Sequence, residues 1–139
     1  MTLTPLMTTH ATTRGGRDGR TSLEDGKMVL GMSLPKVLAP GAADGMNPEQ
    51  LFAMGWSSCF GQAVLALSKK HGVDASRAAV TCAVTLNKDE TSFALTAEIK
   101  VSIPGEDEAK VRALVEDAHQ FCPYSKATRG NVPVTLTVI

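Results

Sequence analysis

Three cysteines, Cys59, Cys82 and Cys122, are the side chains of this sequence best suited to covalent chemistry. A thiol acts as a nucleophile only as its thiolate, and at pH 7 that form needs a nearby cation or a helix N-terminus. Cys59 falls in the middle of a long apolar helical pattern, where no helix end helps it; a cation would have to. Cys122 stands at the end of a second helical pattern, just before Pro123, and the negative end of a helix disfavours a thiolate. That asymmetry makes Cys122 the poorer nucleophile and suits it to resolving an oxidised Cys59. Either residue can equally be a small packing side chain. Cys82 shares an alternating apolar face with Val80, Val84 and Leu86 and reads as core.

Cations and acids are the next candidates. Arg14, Arg17 and Arg20 recur every three residues on a glycine-rich turn. Such a turn can hold a phosphate or merely display solvated charge. No G-x-x-x-x-G-K-[ST] motif or strand-bound G-x-G-x-x-G accompanies it. Glu49 lies in the first turn of the long helix, where the dipole alone favours an acid; its functional reading is as an anchor for an arginine. His119 and Cys122 are one helical turn apart, a dyad without an evident third member. Tyr124 can donate a hydrogen bond or pack. No Cys-x-x-Cys and no His pair at ligand spacing occurs, which argues against a metal site.

The elements that must position these residues can be read from periodicity and punctuation. Residues 2–13, rich in threonine, predict a strand. Gly15-Gly16, Asp18-Gly19 and Asp25-Gly26 mark turns, and Met28, Leu30, Met32 and Leu34 alternate as a half-buried strand. Two Pro and two Gly within residues 35–46 predict a loop. Asn47 as N-cap, Pro48 at the first helical position and Gln50 three residues after the cap open a helix that Gly72 stops. Over 48–71 it spans roughly 36 Å at ~1.5 Å per residue. Its interior is apolar nearly all round, so it must be buried on all sides, and a second copy of the chain is inferred to supply the missing wall. Val80 to Leu86 and Phe93 to Ile103 alternate on either side of a polar connection, an antiparallel hairpin with one wet face. Val111, Leu114, Val115 and Ala118 repeat at helical spacing until Pro123, and Val132, Val134, Leu136 and Val138 form a last strand. The order β-β-β-α-β-β-α-β predicts an α+β fold with antiparallel sheets, in one domain over residues 1–139.

Composition narrows the function classes. Lys+Arg and Asp+Glu number 14 each in 139 residues, so no net charge favours nucleic acid. All-apolar runs are short, so no membrane span is expected, and the threonine-rich start lacks the apolar core of a secretory signal. An odd number of cysteines fits a cytoplasmic protein with working thiols better than a disulfide scaffold.

Three stretches together go further. Asn47-Pro-Glu-Gln-Leu-Phe-Ala-Met-Gly-Trp-Ser-Ser-Cys59-Phe resembles the first cysteine motif of the organic hydroperoxide resistance proteins, within the OsmC/Ohr superfamily. Cys122-Pro-Tyr-Ser-Lys-Ala-Thr-Arg-Gly-Asn131 resembles their second cysteine motif, and Gly15-Gly-Arg-Asp-Gly-Arg20 their arginine loop. The element order agrees over essentially the whole chain. The resemblance implies sheets wrapped around central helices in an intertwined homodimer. It implies a peroxidase that reduces organic hydroperoxides to alcohols and binds no cofactor. Cys59 would be the peroxidatic thiol and Cys122 the resolving thiol. Arg17 would be the cation held near Cys59, oriented by Glu49. A dithiol, notably a lipoyl group on a partner protein, would reduce the resulting disulfide. Lys126 stands where these proteins commonly carry Asn, and Trp56 where Tyr is common. Two other readings compete: an OsmC-branch peroxidase of broader range, and a thiol sensor or apolar-ligand module that oxidises without turnover. Ten residues separate Glu49 from Cys59, ~15 Å along a straight helix. An arginine shared by both requires a bent helix, side chains meeting part-way, or a Glu49 from the second chain.

Overall fold

The computed structural model describes residues 2–139. The chain forms two compact units, Met1–Pro48 and Glu49–Ile139. The first unit carries a three-stranded antiparallel sheet in the order β1 (Ala11–Arg14), β2 (Arg20–Leu23), β3 (Val29–Gly31). The strand expected over 2–13 is thus reduced to its last residues and Arg14. Threonine-rich sequence supplies strand propensity, but a ladder needs a partner, and the first rung is Ala11 opposite Leu23. The strand expected through Leu34 also shortens; beyond β3 only Met32 continues, bridging Met46 across the expected loop.

The second unit is built on α1 (Pro48–Ser68), followed by β4 (Ala79–Lys88), β5 (Phe93–Ser102), α2 (Glu108–Phe121), α3 (Pro123–Thr128) and β6 (Val134–Val138). The Pro48 start is where the Asn-Pro signal places it. At the other end Val73 N–H reaches the Ser68 carbonyl at 3.0 Å and Gly72 N–H the Lys69 carbonyl at 3.1 Å, with Gly72 at φ +64°. This is a Schellman closure, which only a residue comfortable at positive φ completes without strain. Lys70 and His71 do more than complement the dipole: both grip Asp117 of α2, at 2.9 and 2.8 Å. These bonds, that from His71 foremost, hold the Asp117 carboxyl below the ordinary carboxylate range.

β4 and β5 form the expected hairpin, paired from Ala79–Ser102 to Lys88–Phe93. β6 lies on the other side of β5 and runs parallel to it, so this sheet is mixed where antiparallel pairing was expected. Alternation identifies a strand but not its direction. Here a long crossover carrying both later helices returns the chain to the same end, as parallel pairing requires. Asp107 caps α2 by accepting from Ala109 N–H and Lys110 N–H. Its Val111, Leu114, Val115 and Ala118 pack with Ile99 and Val101 of β5 and Trp56, Phe60 and Val64 of α1 in one core.

Burial of α1 on all sides is not found within one chain. Trp56, Phe60, Ala63 and Val64 are buried, whereas Met54 is 60% and Leu65 52% exposed. The membrane expectation is also corrected on one point: α1 is long and apolar enough to cross a bilayer by length and composition, with mean hydropathy 1.3. Gly55, Ser57, Ser58, Gly61 and Gln62 interrupt its apolar runs without lowering the average below that mark. The same composition serves a core helix.

Leu114 is fully buried. Leu114→Ala should therefore lower unfolding free energy by about 2–5 kcal/mol. Glu116→Ala, on the exposed face of the same helix, should stay within about 0.5 kcal/mol. Denaturant unfolding of both variants measures the difference.

Candidate active site

Cys59 projects from α1 one turn after Gly55 and is half-buried; Cys122 is fully buried. Their sulfurs lie 3.4 Å apart. Cys122 occupies the junction of two helices. Its N–H closes α2 onto the Ala118 carbonyl at 2.8 Å, and its own carbonyl accepts from Lys126 N–H of α3 at 2.9 Å. The short helix α3 was not expected from the sequence. Pro123 ends α2, but proline is also favoured at the first position of a helix, and here it serves both ends. The expectation that Cys122 feels only the negative end of a helix is corrected accordingly: it stands between that end and the start of the next helix.

Burial pushes the Cys59 thiol up. Against it, the Tyr124 backbone N–H hydrogen-bonds the sulfur and pulls it down, while Cys122, as a thiol partner and as a charge, pushes it up again. Within this unit the net direction is upward, which favours the neutral thiol. Cys82, on the core side of β4, is pushed up to about 11, by burial first and then by Cys122. It behaves as the core cysteine its strand face predicts.

The segment after Cys122 is fastened to α1 at several points. The Trp56 indole N–H donates to the Ser125 hydroxyl at 3.2 Å, both residues being fully buried. The Tyr124 ring stands edge-on to Phe52, with centroids 6.1 Å apart, and Phe52 in turn tilts against Trp56 at 5.5 Å. The Thr128 hydroxyl bonds the Tyr124 carbonyl at 2.9 Å. Of the two roles its type allows, Tyr124 shows packing by its ring; the hydrogen bond it gives Cys59 comes from its backbone N–H. Ser125 carried no signal in the sequence, because a serine inside a short helix is unremarkable until its partner is known.

Arg17 lies in the 3-10 turn Gly16–Asp18 that joins β1 to β2. Arg14 and Arg20 face each other across the base of that turn. A Cβ on Gly19 would stand 1.7 Å from the Arg14 carbonyl oxygen, so only glycine allows the chain to close there and hold Arg17 at the tip. Glu49 is the second residue of α1, which runs unbroken past Gly55 to Ser68. His119 does not join a dyad: its ring lies against Phe60 with centroids 6.5 Å apart, its Nδ1 is buried without a hydrogen-bond partner, and its carbonyl accepts from Arg129. Burial, and then Arg129, push the His119 imidazole down. Among the described residues no group of three or more His, Cys, Asp or Glu is arranged to hold a metal ion.

Residues 41–137 match the family described as OsmC-like protein. The organic hydroperoxide resistance protein of Xanthomonas axonopodis pv. citri (strain 306) is 40% identical over 134 residues, 96% of this chain and 94% of that one. The crystal structure of the organic hydroperoxide resistance protein OhrB of Bacillus subtilis has a TM-score of 0.87 at 40% identity, over 97% of this chain and 100% of that one. An organic hydroperoxide resistance protein from Elizabethkingia anophelis, crystallised with thiocyanate bound, has a TM-score of 0.87 at 39% identity, over 98% of each chain.

Ser125→Ala leaves the buried Trp56 N–H without an acceptor. The variant should lose about 1–3 kcal/mol of stability, read from urea unfolding followed by tryptophan fluorescence.

Proposed function

The chain belongs to the OsmC family, and from that premise we propose that it is a two-cysteine thiol peroxidase acting on organic hydroperoxides. The observation that supports this reading best is the 3.4 Å separation of two thiols, one half-buried and one fully buried. A disulfide needs its sulfurs at about 2.05 Å, so the pair stands a short movement from bonding.

In this reading the Cys59 thiolate attacks the distal peroxide oxygen. The O–O bond breaks, the leaving alkoxide takes a proton to become the alcohol, and Cys59 becomes a sulfenic acid. The Cys122 thiol then attacks the Cys59 sulfur. An S–S bond forms and the hydroxyl leaves as water, carrying the Cys122 proton. An external dithiol of lipoyl type, on a partner protein, exchanges with the disulfide and restores both thiols. The two cysteines supply both electrons, so the chemistry asks for neither metal nor bound cofactor. Phe52 and Tyr124, partly exposed aromatic side chains packed together beside this segment, favour alkyl peroxides over hydrogen peroxide.

Burial disfavours the Cys59 thiolate, so a cation must counter it. That role is assigned to Arg17, whose guanidinium stays charged at every relevant pH and can also polarise the departing oxygen. Glu49 is assigned to orient it. The whole chain, residues 1–139, is read as one peroxidase domain in a cytoplasmic homodimer. Support for the dimer comes from Met54 and Leu65, apolar side chains left exposed on the central helix.

Cys59→Ser should abolish consumption of cumene hydroperoxide. Cys122→Ser should oxidise once, to a sulfenic acid that dimedone traps, and form no intramolecular disulfide on a non-reducing mass map. Normal multiple turnover by both variants with a dithiol reductant would remove the scheme, whereas stoichiometric oxidation of the unmodified chain without turnover favours the sensor reading. Removing a cation raises a thiol's pKa. Arg17→Ala should therefore shift the rise of single-turnover rate with pH to higher pH, and an unmoved profile excludes that role.

A further inference from the structure

Gly55 sits in the interior of α1, where glycine costs about 1 kcal/mol relative to alanine. Its backbone is ordinary helix, so no positive φ requires it. What requires it is the Tyr124 ring. A Cβ at position 55 would lie 2.8 Å from the Tyr124 hydroxyl oxygen, 3.1 Å from Cε2 and 3.2 Å from Cζ. The ring lies on bare helix backbone, one turn before Cys59.

Resting on the two-cysteine reading, we propose that Gly55 is a positioning residue for disulfide closure: its bare backbone seats the Tyr124 ring and so holds Cys122 opposite Cys59. The linkage between ring and thiol is short and stiff. Only Pro123 separates the two residues, and its ring fixes φ while confining Cys122 to the extended region, where it is found at φ −63°, ψ 124°. On the far side, Ser125 is tied to Trp56 by its hydrogen bond. Residues 122, 124 and 125 thus meet residues 59, 55 and 56 of α1 as one unit, in one register. A methyl group at position 55 must push the ring away, and the Cys122 end of the unit moves with it or loses its support. Attack on the peroxide uses the Cys59 sulfur and the groups that stabilise its charge, the Tyr124 N–H among them, whereas closure also needs the Cys122 sulfur within bonding reach, so closure responds more strongly.

The test follows both steps in one reaction of the full-length protein with one equivalent of cumene hydroperoxide. Dimedone trapping reads sulfenic acid formation, and non-reducing mass analysis reads the disulfide. Gly55→Ala should slow closure by about tenfold or more, as an error of about 1 Å in a reacting pair can, while sulfenic acid formation, which needs only the Cys59 side of the pair, falls by a much smaller factor. Tyr124→Ala should slow closure as well, and Tyr124→Phe, which keeps the ring, should restore it. In the Tyr124→Ala background, Gly55→Ala should have no further effect, because the two act through one contact. Closure at the unmodified rate in Gly55→Ala, or in Tyr124→Ala if the glycine variant does not fold, overturns the proposal. So does an equal loss from Gly55→Ala with and without the ring. A wild-type chain that forms sulfenic acid but no Cys59–Cys122 disulfide defeats the two-cysteine reading instead, and the two failures are distinct.

Discussion

Two sulfurs at 3.4 Å, one fully buried and the other half-buried at the edge of the core, impose a constraint that the rest of the second unit must satisfy. One proton can be shared between them, but two negative charges cannot be held at that distance. The pair therefore works with at most one thiolate at a time. Burial works against even that one. Since burial already costs Cys59 part of its hydration, a reactive thiol here must draw charge stabilisation from fixed groups. The Tyr124 backbone N–H is one such group, already aimed at Cys59. A peptide dipole alone cannot offset both desolvation and the second sulfur, and for that reason a guanidinium belongs in the proposed chemistry.

The same constraint explains why so many interactions converge on so short a segment. The junction at Cys122 is held by backbone bonds from both adjoining helices. Trp56 and Ser125 then lock it to α1 from within the core, and Phe52 and Tyr124 lock it nearer the surface. Each contact is worth little alone. Together they remove the freedom that a loop-borne thiol would otherwise have to lose on every turnover. The core beneath, with Ile99, Val101, Leu114 and Val115 fully buried, gives both helices a common footing, so the sulfur separation is a property of packed elements.

Legibility in the sequence followed the range of the forces involved. Local signals were enough for α1, because Asn47-Pro48 and Gly72 act within a turn of their own positions, and for the core face of α2, where four apolar residues repeat at helical spacing. They were enough for the β4–β5 hairpin, whose alternation flips cleanly across a polar connection. They failed where the decision is made elsewhere in the fold. Residues 2–13 have strand propensity but a partner only from Ala11 onward. The direction of β6 depends on the crossover before it, not on its own residues. Pro123 looks the same in sequence whether it ends one helix or begins another. At the site, the two thiols were singled out by the family resemblance, while their types and positions alone left packing roles open. The seat under Tyr124 was not legible, because nothing in the local sequence distinguishes a glycine tolerated in a helix from one required there.

Cys82 shows how the fold keeps a third thiol out of the proposed chemistry. It lies on the core face of β4, within the electrostatic reach of Cys122. A thiol so placed could exchange with any disulfide formed there and scramble it. Exchange needs a thiolate, however, and with its pKa at about 11 only ~1 molecule in 10,000 is ionised at pH 7. Burial is the larger cause of that raised pKa, and negative charge on Cys122 supplies the rest. Desolvation is therefore tolerable at Cys59 only if some group offsets it, and useful at Cys82 because nothing needs to. One physical effect, the cost of withdrawing charge from water, separates the thiol proposed to react from the inert one according to what is provided beside each.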